Sequence, residues 1–255
     1  MNFNINKLSN LLLSLISVLT LSQTTLPAQA AIVMTGTRVI FPAAQREKTI
    51  QLNNKDDAPN LVQIWIDSGD ENSKPETAVS PFLINPQIFK IQAQQGQMVR
   101  ILLNGDDQAL PQDRESLFYL NFSEIPAVKD SDLNKNKLLL IFKNRLKLFY
   151  RPKALTSPIT DQPKQLSYDI KSHTKTALEI QLYNDSPYYA NLAQIVFNAN
   201  GQDISTDYNK LIAPNSSIVW SIAQQIKSLD HSNLSISLIN DYGATRTQQL
   251  PLRRH

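Results

Sequence analysis

The chain has 255 residues and no cysteine; 25 lysines and arginines stand against 22 aspartates and glutamates, a formal charge of +3, and apolar residues make up 42%. That composition excludes a disordered tail, a collagen-like fibre, a disulfide scaffold and a thiolate metal site. A charge this small gives no ground for nucleic-acid binding. The three histidines, His173, His231 and His255, lie far apart without a ligand-like spacing, so neither a metal nor a catalytic histidine is expected.

Met1 to Ala30 reads as a secretory leader: Lys7 supplies the positive start, Leu11 to Leu21 an apolar stretch too short to span a bilayer, and Ala28-Gln29-Ala30 a small-residue cleavage site. Cleavage there leaves 225 residues beginning at Ala31. No later stretch is long and apolar enough to span a membrane, so a soluble secreted or periplasmic product is expected, stabilised by packed cores without disulfides.

From Ala31 onward the pattern is one of strands. Arg38 sits in the first, Thr37-Arg38-Val39-Ile40-Phe41. Val62, Ile64 and Ile66 then alternate with Gln63, Trp65 and Asp67, which predicts one face on a core and the other in solvent. Further along, Leu178, Ile180 and Leu182, then Leu234, Ile236 and Leu238, alternate in the same way. Turn signals such as Asn104-Gly105-Asp106 and Asn200-Gly201-Gln202-Asp203 separate the runs. No window sustains a helical period. Short strands at this spacing predict antiparallel sandwiches or barrels.

Lys137-Leu138-Leu139-Leu140-Ile141-Phe142-Lys143 breaks the alternation, with five consecutive apolar residues. One reading is a strand, or a local helix, buried on both sides within its own domain. The other is a strand with one face on its own core and the other kept for a partner. An exposed apolar edge is an aggregation hazard unless another chain pairs with it, and such pairing would be strand addition. Arg145, Lys147 and Arg151 lie just beyond; they read as snorkelling or ion-paired cations, or as an anion site near a domain junction. After them, Thr156-Ser157-Pro158 to Pro163 has a linker composition. The chain is therefore divided into the leader 1–30, a domain 31–152 and a domain 153–255, the two domains having 122 and 103 residues, each the size of one immunoglobulin-like sandwich.

Four segments resemble the PapD-like periplasmic chaperones of the chaperone–usher pilus pathway. The strongest is Leu110-Pro111-Gln112-Asp113-Arg114-Glu115-Ser116-Leu117-Phe118-Tyr119-Leu120-Asn121 with Glu124-Ile125-Pro126. The others are Lys147-Leu148-Phe149-Tyr150-Arg151-Pro152, Arg38 in its Thr-Arg-Val-Ile-Phe context, and Ile239-Asn240-Asp241-Tyr242-Gly243. Phe122 and Ala244 depart from the family pattern, which usually has an aliphatic residue and a second glycine there. The short connection from Ile125 to Leu138, without cysteines, resembles the branch that assembles rod-like pili or fimbriae.

This resemblance implies an all-β molecule of two immunoglobulin-like β-sandwich domains in an L or boomerang with an interdomain cleft. It also implies a chaperone without enzymatic activity, cofactor or metal, partnered by pilus or fimbrial subunits and an outer-membrane usher in the periplasm. Arg38 and Lys147 match the cations that hold the subunit's terminal carboxylate. Leu138, Leu140 and Phe142 match the donated strand, and Glu115, Arg151 and Asp241 an interdomain ion-pair cluster. Lys147 is odd where the donated residues are even; a bulge near Lys143 or Asn144 would place them on one face. A self-capping dimer would cover the apolar edge in the free protein. An alternative from another class is a secreted sandwich that binds carbohydrate or a surface protein, for which Tyr188, Tyr189 and Trp220 are the candidate aromatic platform. A hydrolase finds no nucleophile elbow, paired-carboxylate motif or phosphate loop in the chain.

Overall fold

The computed structural model describes residues 32–105, 107–127, 138, 140–174, 176–224 and 226–253; the leader, Leu139 and His255 lie outside these. Among the described residues, nine strands build the first part of the chain: β1 (Ile32–Met34), β2 (Arg38–Pro42), β3 (Glu47–Asn54), β4 (Asn60–Asp67), β5 (Phe82–Asn85), β6 (Ile88–Ile91), β7 (Gly96–Leu103), β8 (Ser116–Pro126) and β9 (Phe142–Arg151). They form two sheets, ordered β1-β3-β7-β5 and β2-β9-β8-β4-β6. Seven more build the second part: β10 (Leu166–His173), β11 (Leu178–Asn184), β12 (Ala190–Ala199), β13 (Gln202–Ile212), β14 (Ser216–Ile222), β15 (Asn233–Ile239) and β16 (Thr245–Leu250). Their sheets are ordered β10-β11-β14 and β13-β12-β15-β16. Two β-sandwiches result, as expected.

Alternation places each core. In the first sandwich Val39, Phe41, Val62, Ile64, Leu120, Phe122, Leu148 and Tyr150 face Ile32, Leu52, Phe82, Val99 and Ile101 in one buried cluster. Phe82 meets Phe41 and Phe118 edge-on, each with ring centroids 5.1 Å apart, a geometry that adds to their buried area. In the second, Leu178, Ile180, Leu182 and Trp220 pack with Leu192, Ile195, Phe197, Leu234 and Ile236.

The Pro-rich stretch expected to be a linker is ordered and packed. Ile159–Gln165 forms a 3-10 turn, Gln162 is buried and donates to the Tyr189 carbonyl at 2.8 Å, and the Tyr188 hydroxyl donates to the Ser157 carbonyl at 2.6 Å. Composition alone missed this because the contacts come from residues some thirty positions away.

The strand β9 has a different partner on each edge. It pairs antiparallel with β8 without interruption from Ser116↔Tyr150 to Glu124↔Phe142. On its other edge it pairs parallel with β2, from Arg38↔Lys147 to Pro42↔Arg151. That second partner stops at Lys147, so among the described residues the edge of β9 from Phe142 to Leu146 carries no neighbouring strand.

Candidate functional site

The described residues of the apolar segment are neither helical nor buried. Leu138 is 86% exposed, Leu140 57%, Ile141 55% and Phe142 59%. Regular strand begins only at Phe142, where the expectation ran it from Leu138. The reason is partner supply: the β8 ladder ends at Glu124↔Phe142, and β2 begins five residues further on.

The bulge that would have placed Lys147 with the donated residues is absent. The β8–β9 register is unbroken across Lys143 and Asn144. Phe142 therefore keeps the parity of Leu146, Leu148 and Tyr150, which pack in or against the core. Lys143, Arg145 and Lys147 share the opposite face.

Arg38 and Lys147 are brought together as register partners on adjacent parallel strands. Each is partly buried, and among the described residues neither has a carboxylate within ion-pair distance. Their partners are neutral and come from the second sandwich: Arg38 donates to the Ile239 carbonyl at 3.2 Å, and Lys147 donates to Asn191 Oδ1 at 3.3 Å. The Arg38 Nε is buried without a partner there. Burial, and then the charge of Arg38, push the Lys147 ammonium below its ordinary range. Burial lowers Arg38 as well, against the opposing pull of Asp241. Two desolvated like charges with neutral partners are an arrangement whose cost an anion would offset.

The predicted ion-pair cluster is also assembled. Arg151 Nε donates to Glu115 Oε1 at 2.7 Å, and its two terminal nitrogens reach Asp241 at 2.6 and 2.7 Å, a bidentate pair. Glu115 Oε2 accepts the Tyr189 N–H at 2.9 Å. The cluster thus ties β8 and β9 to the second sandwich. Burial alone would lower Arg151; its hydrogen bonds to Asp241 and the charges of both carboxylates override this and hold it above its ordinary range. Burial pushes the Glu115 carboxyl up, against the pull of Arg151. Asp241 sits in a turn closed by Asn240, whose side chain accepts the Tyr242 and Ala244 amides at 3.0 Å each. Gly243 is required in that turn: its φ is +83°, and a Cβ would lie 2.7 Å from Thr37 Oγ1, beside Arg38. Ala244, a departure from the family pattern, is not at positive φ, so nothing there calls for a second glycine.

A further cluster was not anticipated. Asp67 and Trp65 were expected on a solvent face, yet they are 1% and 8% exposed. Both Arg145 terminal nitrogens donate to the Asp67 carboxylate, one of them to Oδ1 at 2.9 Å. Asn121, Ser73 and the Gly69 amide donate at 2.6, 2.8 and 2.7 Å. Burial works to raise this carboxyl, but Arg145 and the other donors override it and hold it at about 2. Lys143 caps the Glu71 and Ser73 carbonyls at 2.9 and 3.2 Å. The root of β9 is thereby fastened to the segment after β4. Asn121 ends the longest of the family-like segments, but nothing local tied it to Asp67, 54 residues away.

The candidate aromatic platform is not available as one. Tyr188 and Trp220 are 5% and 7% exposed, and Tyr189 packs on Phe149 with centroids 5.8 Å apart. His173 meets the Ile226 carbonyl at 2.7 Å.

Comparison with known proteins is specific. Residues 31–156 match the family described as pili and flagellar-assembly chaperone, PapD N-terminal domain, and residues 161–250 match the pili assembly chaperone PapD C-terminal domain. The chain is 37% identical over 220 residues to the chaperone protein HifB of Haemophilus influenzae, covering 85% of this chain and 86% of that one. It is 33% identical over 216 residues to the probable fimbrial chaperone YadV of Escherichia coli strain K12, covering 84% and 87%. The crystal structure of the YadV chaperone superposes with a TM-score of 0.69 at 31% identity, over 87% of this chain and 100% of that one.

Proposed function

The chain belongs to the PapD-like pili-assembly chaperones, and on that basis we propose how its own residues act: it captures a fimbrial subunit by adding a strand along the open edge of β9. One observation carries this reading. An exposed apolar segment runs directly into a strand edge that is unpaired up to the position where two partly buried cations stand side by side.

A sandwich that lacks its last strand, as such a subunit does, exposes an apolar groove and unpaired backbone groups, both costly in water. The edge from Leu138 to Leu146 offers the missing backbone partners. Leu138, Leu140 and Phe142 offer apolar side chains at alternate positions, each contributing roughly 1.5–3 kcal/mol when fully buried. Leu138 and Phe142 are more than half exposed in the free protein, so most of that term is still available. Arg38 and Lys147 take the subunit's terminal carboxylate, whose charge-assisted hydrogen bonds contribute roughly 1.5–3 kcal/mol each.

This reading also implies a direction. Because β2 already fills the β9 edge from Lys147 onward, the added strand must end there. A strand that ends with its carboxylate at Lys147 and passes Phe142 earlier runs the same way as β9, so the addition is parallel. The odd parity of Lys147 then has a use: the apolar residues enter the subunit's core from one face, while the carboxylate is held from the other.

In this reading Glu115, Arg151 and Asp241 set the relation of the two sandwiches, with the division near Pro152. The subunit passes to an outer-membrane usher after leader removal, in the periplasm, and no catalysis is involved. No helix among the described residues is long and apolar enough to cross a membrane. The test is co-purification from periplasm. The wild-type chain should bring down a small immunoglobulin-like subunit, and Leu140→Glu, which places a charge in an apolar groove, should not. Equal subunit recovery with both would remove the strand assignment.

A further inference from the structure

Lys143, Arg145 and Lys147 follow one another on a single face of β9, so the strand presents cations at two-residue intervals, about 6.6 Å apart. Lys143 and Arg145 lie along the edge that is open from Phe142 to Leu146, and Lys147 stands where it closes. This spacing makes register a problem for any strand added there. A displacement by one residue turns the apolar side chains to the wrong face, but a displacement by two keeps every side chain on its proper face. Alternation therefore does not distinguish a carboxylate that stops at Arg145 from one that reaches Lys147. The distinction falls to the cations themselves.

The structure treats these cations unequally. Arg145 is compensated: both its terminal nitrogens donate to the Asp67 carboxylate, one of them also to Asn121 Oδ1 at 3.1 Å and the Asp70 carbonyl at 3.2 Å. Its guanidinium lies over the Tyr119 ring, 3.9 Å from the centroid. A second carboxylate arriving there would find no unbalanced cation and would meet the charge of Asp67. Lys143 is exposed, so a pair formed with it is screened by water, and its ammonium is turned to the Glu71 and Ser73 carbonyls.

Lys147 has the opposite treatment. It is partly buried, and its partner is an amide, Asn191 Oδ1 at 3.3 Å. Asn191 is buried on β12, and its side-chain nitrogen donates to the Tyr189 carbonyl at 3.5 Å, which turns its oxygen toward Lys147. An amide fixes the position of the ammonium and leaves its charge unbalanced. An aspartate, of the same size, would balance it.

We propose that Asp67 and Asn191 together set the register of the added strand. Asp67 cancels the charge of Arg145, and Asn191 holds Lys147 without cancelling its charge, so the subunit's terminal carboxylate has one stopping place, beside Arg38. The inference deepens the capture reading and rests on it. Both are positioning residues, acting through the two cations.

The experiment measures subunit recovered per chaperone from periplasm. It uses the subunit that the wild-type chain brings down, and the same subunit shortened by its last two residues. Wild type should recover the full-length subunit about tenfold better or more, since the shortened carboxylate stops at the compensated Arg145. Asp67→Asn should raise recovery of the shortened subunit about tenfold, and adding Arg145→Gln should abolish that gain. At the other cation, Asn191→Asp should lower recovery of the full-length subunit about tenfold or more. Asn191→Ala, which removes the hydrogen bond without adding a charge, should lower it far less. The Asn191 variants leave the Asp67 cluster intact, so they decide the question even if Asp67→Asn folds poorly. Recovery of no subunit by wild type overturns the capture reading itself. Capture by wild type with no gain for the shortened subunit in a folded Asp67→Asn, or with equal losses in Asn191→Asp and Asn191→Ala, overturns the register assignment and leaves capture standing.

Discussion

Replacing Arg151 by alanine probes how the two sandwiches are joined. An exposed ion pair contributes about 0–1 kcal/mol, whereas removing one partner of a buried pair costs about 3–5 kcal/mol, because the other charge is left without compensation. The structure decides between these cases. The Arg151 side chain is 17% exposed and Glu115 only 2%, while Asp241 keeps 27%. After the substitution Glu115 would retain the Tyr189 amide alone, whereas Asp241 could recover water. We expect a loss near the lower end of the buried range, about 3 kcal/mol. Urea unfolding measures it, and tryptophan placement lets each sandwich report separately: Trp65 lies on β4 and Trp220 on β14. The two transitions should separate in Arg151→Ala, because the cluster bridges the sandwiches. The triple change Arg151→Ala, Glu115→Gln, Asp241→Asn should regain part of the loss by removing the stranded charges. A loss below about 1 kcal/mol, the range of an exposed pair, would contradict a buried bridging cluster. So would a triple variant no more stable than the single one.

Other consequences concern capture and pH. Arg38→Ala and Lys147→Ala should each abolish subunit co-purification while circular dichroism and melting stay near wild type; wild-type pilin recovery from either would remove the carboxylate role. Asp241→Ala should have a milder effect on capture and loosen the angle between sandwiches, so a small-angle scattering profile identical to wild type would contradict it. Asp67, at about 2 against an ordinary 3.8, has a depressed folded-state value. Its contribution is therefore full above about pH 4 and is lost as pH falls from 4 toward 2, amounting to about 1–2 kcal/mol with partial screening. Asp67→Asn should flatten that acid limb of the stability–pH curve; an unchanged limb would mean the charge on Asp67 contributes nothing.

Much of this was legible in the residues. Period-two alternation marked β4, β11 and β15, and the five-residue apolar run marked a segment that the structure leaves exposed. Lys147 and Arg151 were singled out through the family resemblance, since on their own they read equally as snorkelling or ion-paired cations; the ladders of β9 then put both on one face of the strand. What stayed hidden depends on residues far apart in the chain. Asp67 looked like a solvent-facing position because its cover, Arg145, comes from 78 positions away. Asn191, which holds Lys147, lies in the other sandwich. Parity alone suggested a bulge in β9; the intact register shows instead that the apolar residues and the cations stand on opposite faces of the strand. The Pro-rich stretch after Arg151 does join the two sandwiches, but composition reports what a segment can do alone, not the Tyr188 and Tyr189 contacts that order it.

If a subunit strand ending at Lys147 fills the β9 edge from Phe142 to Leu146, amide hydrogen exchange will register it. The measurement compares the free protein with its complex with a fimbrial subunit. Alternate amides between Leu138 and Leu146 should exchange freely in the chaperone alone and become strongly protected in the complex, while those already bonded to β8 change little. Subunit binding that leaves every one of these amides as exposed as before would contradict the account.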